Sequence, residues 1–163
     1  MGGGLGFAIG RSFSASPTPT VPVIKVRVSP PPSATNPDDL NGSVEVAITE
    51  PTDQQTLPRV LWTKGTFSGL PGDRKIRVVV HPYGTNRWFP QEAPSMDGGT
   101  EGSWEVLTHI GLPGLNDEGK WFDIAAVAVD DQTADMLDKH IGKQGIQLDA
   151  TFYSRVMVKR TGP

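Results

Sequence analysis

Trp121-Phe-Asp-Ile-Ala-Ala-Val-Ala-Val129 is the segment that decides the fold class. Its apolar side chains fill both alternating positions of an extended chain: Phe122, Ile124, Ala126 and Ala128 on one side, and Trp121, Ala125, Val127 and Val129 on the other. Only a strand with protein on both faces tolerates such a pattern. We therefore expect residues 121–129 to lie in the middle of a β-sheet.

Six further segments show strand patterns with turn residues between them. They are Val44–Ile48, Val60–Phe67, Ile76–His81, Asn86–Phe89, Trp104–Ile110 and Phe152–Val158. The third, Ile76–His81, is expected to be central, and the fourth is expected to stop at Pro90. Together with residues 121–129 they make about seven strands, a number and spacing that predict an all-β, immunoglobulin-like sandwich.

One short helix is predicted before the last strand. Thr133 is suited to cap it, the helix would cover residues 134–141, and Gly142 would end it. The 19 glycines and 15 prolines of this 163-residue chain agree with many turns and few helices. We expect one compact domain, since the chain is too short for two once its irregular parts are set aside.

Residues 1–40 are predicted to form an extended arm and linker, and residues 41–163 the sandwich. The arm is rich in Gly, Ser, Thr and Pro, yet it carries four large apolar residues: Leu5, Phe7, Ile9 and Phe13. Such side chains can anchor an extended segment on another surface, whereas the composition alone is typical of a disordered tail. Residues 23–28 alternate apolar and basic side chains and predict a strand, which Ser29-Pro-Pro-Pro-Ser33 ends.

Three segments carry a resemblance to a known family. Val46-Ala-Ile-Thr-Glu-Pro51, Val60–Gly65 and Ile76-Arg-Val-Val-Val80 resemble the start of bacterial immunoglobulin-like modules. The resemblance covers about a third of the chain and implies an adhesive, spacer or assembly module. The chain departs from antibody-type domains because it has no cysteines and no Trp in its third strand.

Composition and motifs exclude several functions. A net charge of −3, from 15 basic and 18 acidic residues scattered along the chain, disfavours nucleic acid as a partner. No membrane span or signal peptide is predicted, because glycines break the apolar residues 5–9 into short pieces. A nucleophile elbow, a phosphate loop and a His-Glu-x-x-His motif are missing from the sequence, so no catalytic residue and no cofactor are predicted.

Metal binding has weak support in the sequence. The histidines His81, His109 and His140 lack the spacing of metal ligands. Loop carboxylates of the kind that bind calcium occur at Asp97, Glu101, Asp130 and Asp131, but not in EF-hand order. We therefore predict no metal site.

The segment His81–Pro90 is the strongest candidate for partner binding in the sandwich. Its candidate contact residues are Tyr83, Arg87, Trp88 and Phe89. Aromatic and Arg side chains are enriched at protein interfaces, and aromatic rings also stack on sugars. Alternation predicts that one of Trp88 and Phe89 faces the core and the other faces outwards.

Two hypotheses follow for the function. The first is a non-enzymatic structural or accessory subunit that docks into a larger assembly through residues 1–28 and the Tyr83–Phe89 segment. The assembly would be a virion, a filament, a surface coat or another large complex, and its other subunits would be different proteins or copies of this chain. The second is a carbohydrate-binding or adhesive module with Trp88 as the stacking ring. The arm favours the first hypothesis, because a carbohydrate module does not need one.

Overall fold

The computed structural model describes residues 23–25, 44–114, 116–150 and 152–162. These residues form eleven strands and one helix. The strands are β1 (Val23–Lys25), β2 (Glu45–Glu50), β3 (Thr56–Leu57), β4 (Val60–Ser68), β5 (Arg74–Pro82), β6 (Phe89–Pro90), β7 (Ser95–Gly98), β8 (Gly102–His109), β9 (Trp121–Asp130), β10 (Gln147–Asp149) and β11 (Ser154–Arg160), and the helix is α1 (Asp131–Asp138).

Two sheets enclose the main core. One has the order β3-β11-β9-β5-β6 and the other the order β2-β4-β8-β7. A single cluster of buried side chains takes members from both sheets, so the sheets pack face to face; it includes Val46, Phe67, Trp104 and Val106 from the four-stranded sheet and Ile76, Val78, Phe122, Ile124 and Val158 from the five-stranded sheet. The prediction of an all-β fold is confirmed.

The central strand β9 explains why residues 121–129 carry apolar side chains at both alternating positions. It lies between β11 and β5, as predicted, and its residues 122–129 are all buried. Its second face is covered by the connection between β9 and β11, which contains α1 and β10. A second buried cluster forms there from Val79, Trp88, Ala125, Val127, Val129, Ala134, Leu137 and Ile146.

An ion pair fixes this connection to the sheet. Arg77, on the covered face of β5 and 7% exposed, donates two hydrogen bonds to the carboxylate of Asp138 at the end of α1, both 2.8 Å long. A two-pronged guanidinium–carboxylate contact is among the strongest polar contacts in proteins. The connection is therefore a packed layer of the domain.

The helix begins earlier than the sequence predicts. Asp130 caps it: its backbone is extended, and its carboxylate accepts a hydrogen bond of 2.7 Å from the backbone N–H of Thr133. The expectation that Thr133 caps a helix over 134–141 is wrong, because Thr133 already lies inside the first turn. Asp130 and Thr133 are both favourable N-cap residues, so the sequence alone does not distinguish them. In the structure Asp130 is the cap, because β9 ends there and the helix follows at once.

The cap makes part of the stability sensitive to acid. The hydrogen bonds from Thr133 hold the pKa of Asp130 below its usual value. The pKa of Asp130 is lower in the folded state than in the unfolded state. The cap therefore contributes its full stabilisation above about pH 4, and this stabilisation is lost as the pH falls further. We expect Asp130→Asn, which keeps a good cap but cannot titrate, to lose less stability than wild type between pH 5 and pH 2.5 in thermal unfolding. Equal losses would contradict this role.

The short strands differ most from expectation. The fourth predicted strand, 86–89, is β6 at Phe89–Pro90, and Trp88 makes only an isolated bridge to Ile146. Pro90 does not stop this strand but belongs to it, which is acceptable because β6 is an edge strand of the sheet. The strands β3, β7 and β10 have two to four residues and are too short for a periodicity to be visible in the sequence.

The arm contributes one described strand. Val23–Lys25 pairs in parallel with β10, with Val23 opposite Gln147 and Lys25 opposite Asp149. The predicted strand 23–28 is thus present in its first half, and residues 26–28 lie outside the described part of the chain. Since β10 belongs to the same domain, residues 23–25 dock on their own chain and are not available as part of the predicted clamp.

Candidate interaction surfaces

The turn after β5 presents Tyr83 to solvent. Gly84 takes a positive φ of 82°, which suits glycine, and the N–H of Thr85 donates to the carbonyl of Pro82 over 3.2 Å. The N–H of Tyr83 donates to the carbonyl of Trp121 on the neighbouring strand over 3.0 Å. The side chain of Tyr83 is 68% exposed. A fixed backbone that carries an exposed aromatic ring is well suited to a contact surface.

Polar contacts around the buried carboxylate of Asp123 hold this turn against the sheet. His81 and Asp123 are directly opposite on β5 and β9, and His81 Nδ1 lies 3.0 Å from Asp123 Oδ2. Arg155 also donates to that carboxylate oxygen. The second ring nitrogen of His81 lies 2.7 Å from the carbonyl oxygen of Thr85, and because a carbonyl only accepts, Nε2 is the donor. The buried carboxylate is thus paired, and His81 connects it to the turn.

Trp88 lies in the core. It is 7% exposed, and its ring centroid lies 4.6 Å from that of His81 and 4.4 Å from that of Phe152. The prediction that one of Trp88 and Phe89 faces inwards is confirmed, with Trp88 as the buried residue and Phe89 partly exposed. Counting Trp88 as a contact residue needs correction, since its ring has no free face for a partner or a sugar. Arg87 is also partly exposed.

The four apolar residues of the arm lie outside the described part of the chain. They are Leu5, Phe7, Ile9 and Phe13. Their role as contact residues stays a prediction. The structure does fix where the arm enters the domain, because β1 begins at Val23 on the side of the five-stranded sheet that α1 and β10 cover.

An apolar surface that the sequence does not predict lies on the outer side of the four-stranded sheet. Trp62 and Leu107 are directly opposite on β4 and β8, and they are 55% and 37% exposed. Val60, two residues before Trp62 and 38% exposed, lies on the same side. We call these three residues the Trp62 face. The signal in the sequence is that β4 carries apolar residues at both alternating positions, since Leu61 and Phe67 on its other side fill the core.

A groove with both polar and apolar lining residues continues from the Trp62 face. It has a volume of about 410 Å³ and is lined by residues of β4, β7 and β8, among them Lys64, Thr66, Asp97, Ser103 and Glu105. Lys64 and Glu105 are the next outward-facing pair after Trp62 and Leu107. The outer side of this sheet therefore offers an apolar area with a groove of mixed lining at one end.

Metal ligands are not brought together in the part of the chain that the structure describes. No three His, Asp or Glu side chains there are grouped for a metal ion. Of the loop carboxylates considered for calcium, Asp130 caps α1 and Asp131 pairs with Lys75 at 2.9 Å. The helix found among the described residues is not long and apolar enough to cross a membrane.

Comparison with known proteins does not add a relative. No family model matches the chain, and no curated protein matches it either.

Proposed function

We propose that this chain is a non-enzymatic structural or accessory subunit of a larger protein assembly that contains more than one copy of the chain, built on an immunoglobulin-like sandwich and docked through its N-terminal arm. The observation that carries the proposal is the row of large apolar residues Leu5, Phe7 and Ile9 in an arm that is otherwise rich in small and polar residues. An extended segment with apolar side chains is a common way for proteins to bind one another. Residues 23–25 pair with β10 of their own chain, so residues 1–22 are the part of the arm left to bind a partner.

The strand order supports the immunoglobulin-like part of the proposal. Constant-type immunoglobulin domains have one sheet in the order A-B-E-D and a second sheet formed by strands C, F and G. Taken along the chain, β2-β4-β8-β7 corresponds to the first and β11-β9-β5 to the second, with β6 as the added C′ strand of variable-type domains. The connection with α1 and β10 is an insertion between strands F and G.

The pattern of the arm supports docking through residues 1–22. Large apolar residues stand at positions 5, 7 and 9, and Gly6, Ala8 and Gly10 alternate with them. In an extended conformation one side would carry large apolar groups and the other side small ones. This is the arrangement of a segment that packs one face against a partner.

The proposal is tested by the mass in solution of the full-length chain. We expect light scattering to give a mass above the 17.5 kDa of one chain, and a variant with Leu5, Phe7, Ile9 and Phe13 all changed to Ser to return to one chain. A variant with Thr18→Ser and Thr20→Ser is the control and should associate like wild type. A monomeric wild type, or an unchanged mass after the four substitutions, would overturn the proposal.

A further inference from the structure

We propose that His81 makes the turn after β5 sensitive to pH: the turn that presents Tyr83 is fixed while the imidazole is protonated and becomes mobile when it is neutral. The inference is independent of the proposed function, because it needs neither the arm nor a second copy of the chain. It starts from the two contacts of one ring. His81 Nδ1 lies 3.0 Å from Asp123 Oδ2, and Nε2 lies 2.7 Å from the carbonyl oxygen of Thr85.

Both partners of the His81 ring are hydrogen-bond acceptors. A backbone carbonyl has no proton to donate, and an ionised carboxylate has none either. Neutral histidine carries a proton on only one of its two ring nitrogens, so it can donate to one of these acceptors but not to both. The imidazolium ion carries a proton on each nitrogen and donates to both. The contacts around His81 therefore belong to its protonated form.

The charges around the ring decide which contact is lost when His81 gives up a proton. The carboxylate of Asp123 on β9 is 3% exposed and also accepts from Arg155 on β11, so it stays paired when the imidazole is neutral. Its negative charge favours the remaining proton on Nδ1, the nitrogen that faces it. Nε2 then turns a lone pair towards the carbonyl oxygen of Thr85, and this contact becomes repulsive.

The other neighbours of the ring do not compete with these contacts. One face of the imidazole stacks on Trp88, which in turn lies against Phe152 of the connection between β9 and β11, and both of these side chains are uncharged. Tyr83 and Arg87 are the titratable and charged residues of the turn itself. Within the described residues, neither forms a hydrogen bond or an ion pair with the His81 ring.

The carbonyl of Thr85 is the point at which His81 holds the tip of the turn. The N–H and the hydroxyl of Thr85 donate only locally, to the carbonyl of Pro82 over 3.2 and 2.9 Å. Loss of the bond from His81 leaves Thr85 held by such local contacts, so the tip becomes more mobile while β5 and β9 stay paired. A partner that contacts Tyr83 therefore meets a fixed turn at low pH and a mobile turn at high pH.

NMR of the ring nitrogens of His81 tests the inference over the range in which histidines usually titrate, from about pH 5 to about pH 8. We expect both nitrogens to be protonated at the acid end, and Nε2 alone to be deprotonated at the alkaline end. Over the same range the protection of the Thr85 amide against hydrogen exchange, corrected for the intrinsic effect of pH, should fall about tenfold in step with Nε2. This is the size expected for losing one hydrogen bond from a charged donor.

His81→Gln tests the link between the ring and the turn, because the Gln side chain does not titrate. The protection of Thr85 should then be the same at both ends of the pH range. His109→Gln is the matched control, since His109 is an exposed histidine at the end of β8. This variant should keep the tenfold change.

Three results in the wild-type protein would overturn the inference. They are a ring that carries a single proton throughout the range, a ring that keeps both protons at its alkaline end, and a Thr85 amide whose protection does not follow the ring. A change at Thr85 that persists in His81→Gln would overturn it as well. If His81→Gln does not fold, the titrations of the ring and of Thr85 in the wild-type protein decide the question.

Discussion

Replacing Trp104 by Ala will destabilise the domain by about 3–5 kcal/mol, the range for deleting a buried aromatic side chain. Trp104 is 2% exposed and belongs to the core between the sheets. Its indole N–H donates to the carbonyl of Thr66 over 3.3 Å. Its ring lies against Gly65, where an added Cβ would come within 2.3 Å of the ring and 2.1 Å of the carbonyl oxygen of Ala47. Gly65 has no side chain that could move into the space that the ring leaves.

The sheet supplies a matched control for this prediction. Trp62 lies on the adjacent strand but on the opposite face, 55% exposed. We expect Trp62→Ala to change the free energy of unfolding by less than about 1 kcal/mol, since exposed positions contribute little. Urea denaturation of the three proteins measures both values. Similar losses for the two tryptophans would show that the assignment of inner and outer faces is wrong.

Arg160→Met will be the second most damaging change, with an expected loss of about 3 kcal/mol or more, as for breaking a buried ion pair. Arg160 is 1% exposed, and its guanidinium donates to the carbonyls of Leu112 over 2.7 Å and Gly114 over 2.6 Å. Its Nη1 also lies 3.7 Å from Asp117 Oδ2. Met fills a similar volume but removes the hydrogen bonds to the carbonyl oxygens of Leu112 and Gly114.

The effect should be concentrated in the loop that Arg160 supports. The carboxylate of Asp117 accepts from the N–H of Leu112, and hydrogen bonds from Lys120 and Leu112 lower the pKa of Asp117. We expect faster hydrogen exchange at Leu112 in Arg160→Met. Lys159→Met, a change of the same type one residue away at a partly exposed position, should lose less than about 1 kcal/mol. Equal effects of the two substitutions would contradict the bridging role of Arg160.

The sequence predicts the long strands because their pattern follows directly from burial. In β4 and β8 the buried and exposed residues alternate, and in β9 both faces are covered. These patterns depend only on neighbours in sequence, and they place the strands to within a few residues. The short strand β10 depends instead on its pairing with Val23–Lys25, more than a hundred residues away, which no local pattern reveals.

The candidate surfaces were only partly predictable for the same reason. Tyr83 follows from an aromatic residue beside glycine in a turn, but Trp88 could face either way until the packing of Phe152 and His81 was known. The Trp62 face depends on which side of a sheet is left uncovered. The connection between β9 and β11 covers the five-stranded sheet, and tertiary contacts such as Arg77 with Asp138 hold it there. Which side chains are exposed therefore depends on contacts between residues far apart in the sequence.

The most direct test of docking through the arm is hydrogen exchange at residues 1–22 measured at two protein concentrations. Binding by a second copy depends on concentration, so we expect protection of the arm at high concentration and its loss on roughly 100-fold dilution. Residues of β9 should stay protected at both concentrations and serve as the internal control. An arm that is equally protected at both concentrations, or protected at neither, would contradict an assembly held together by the arm.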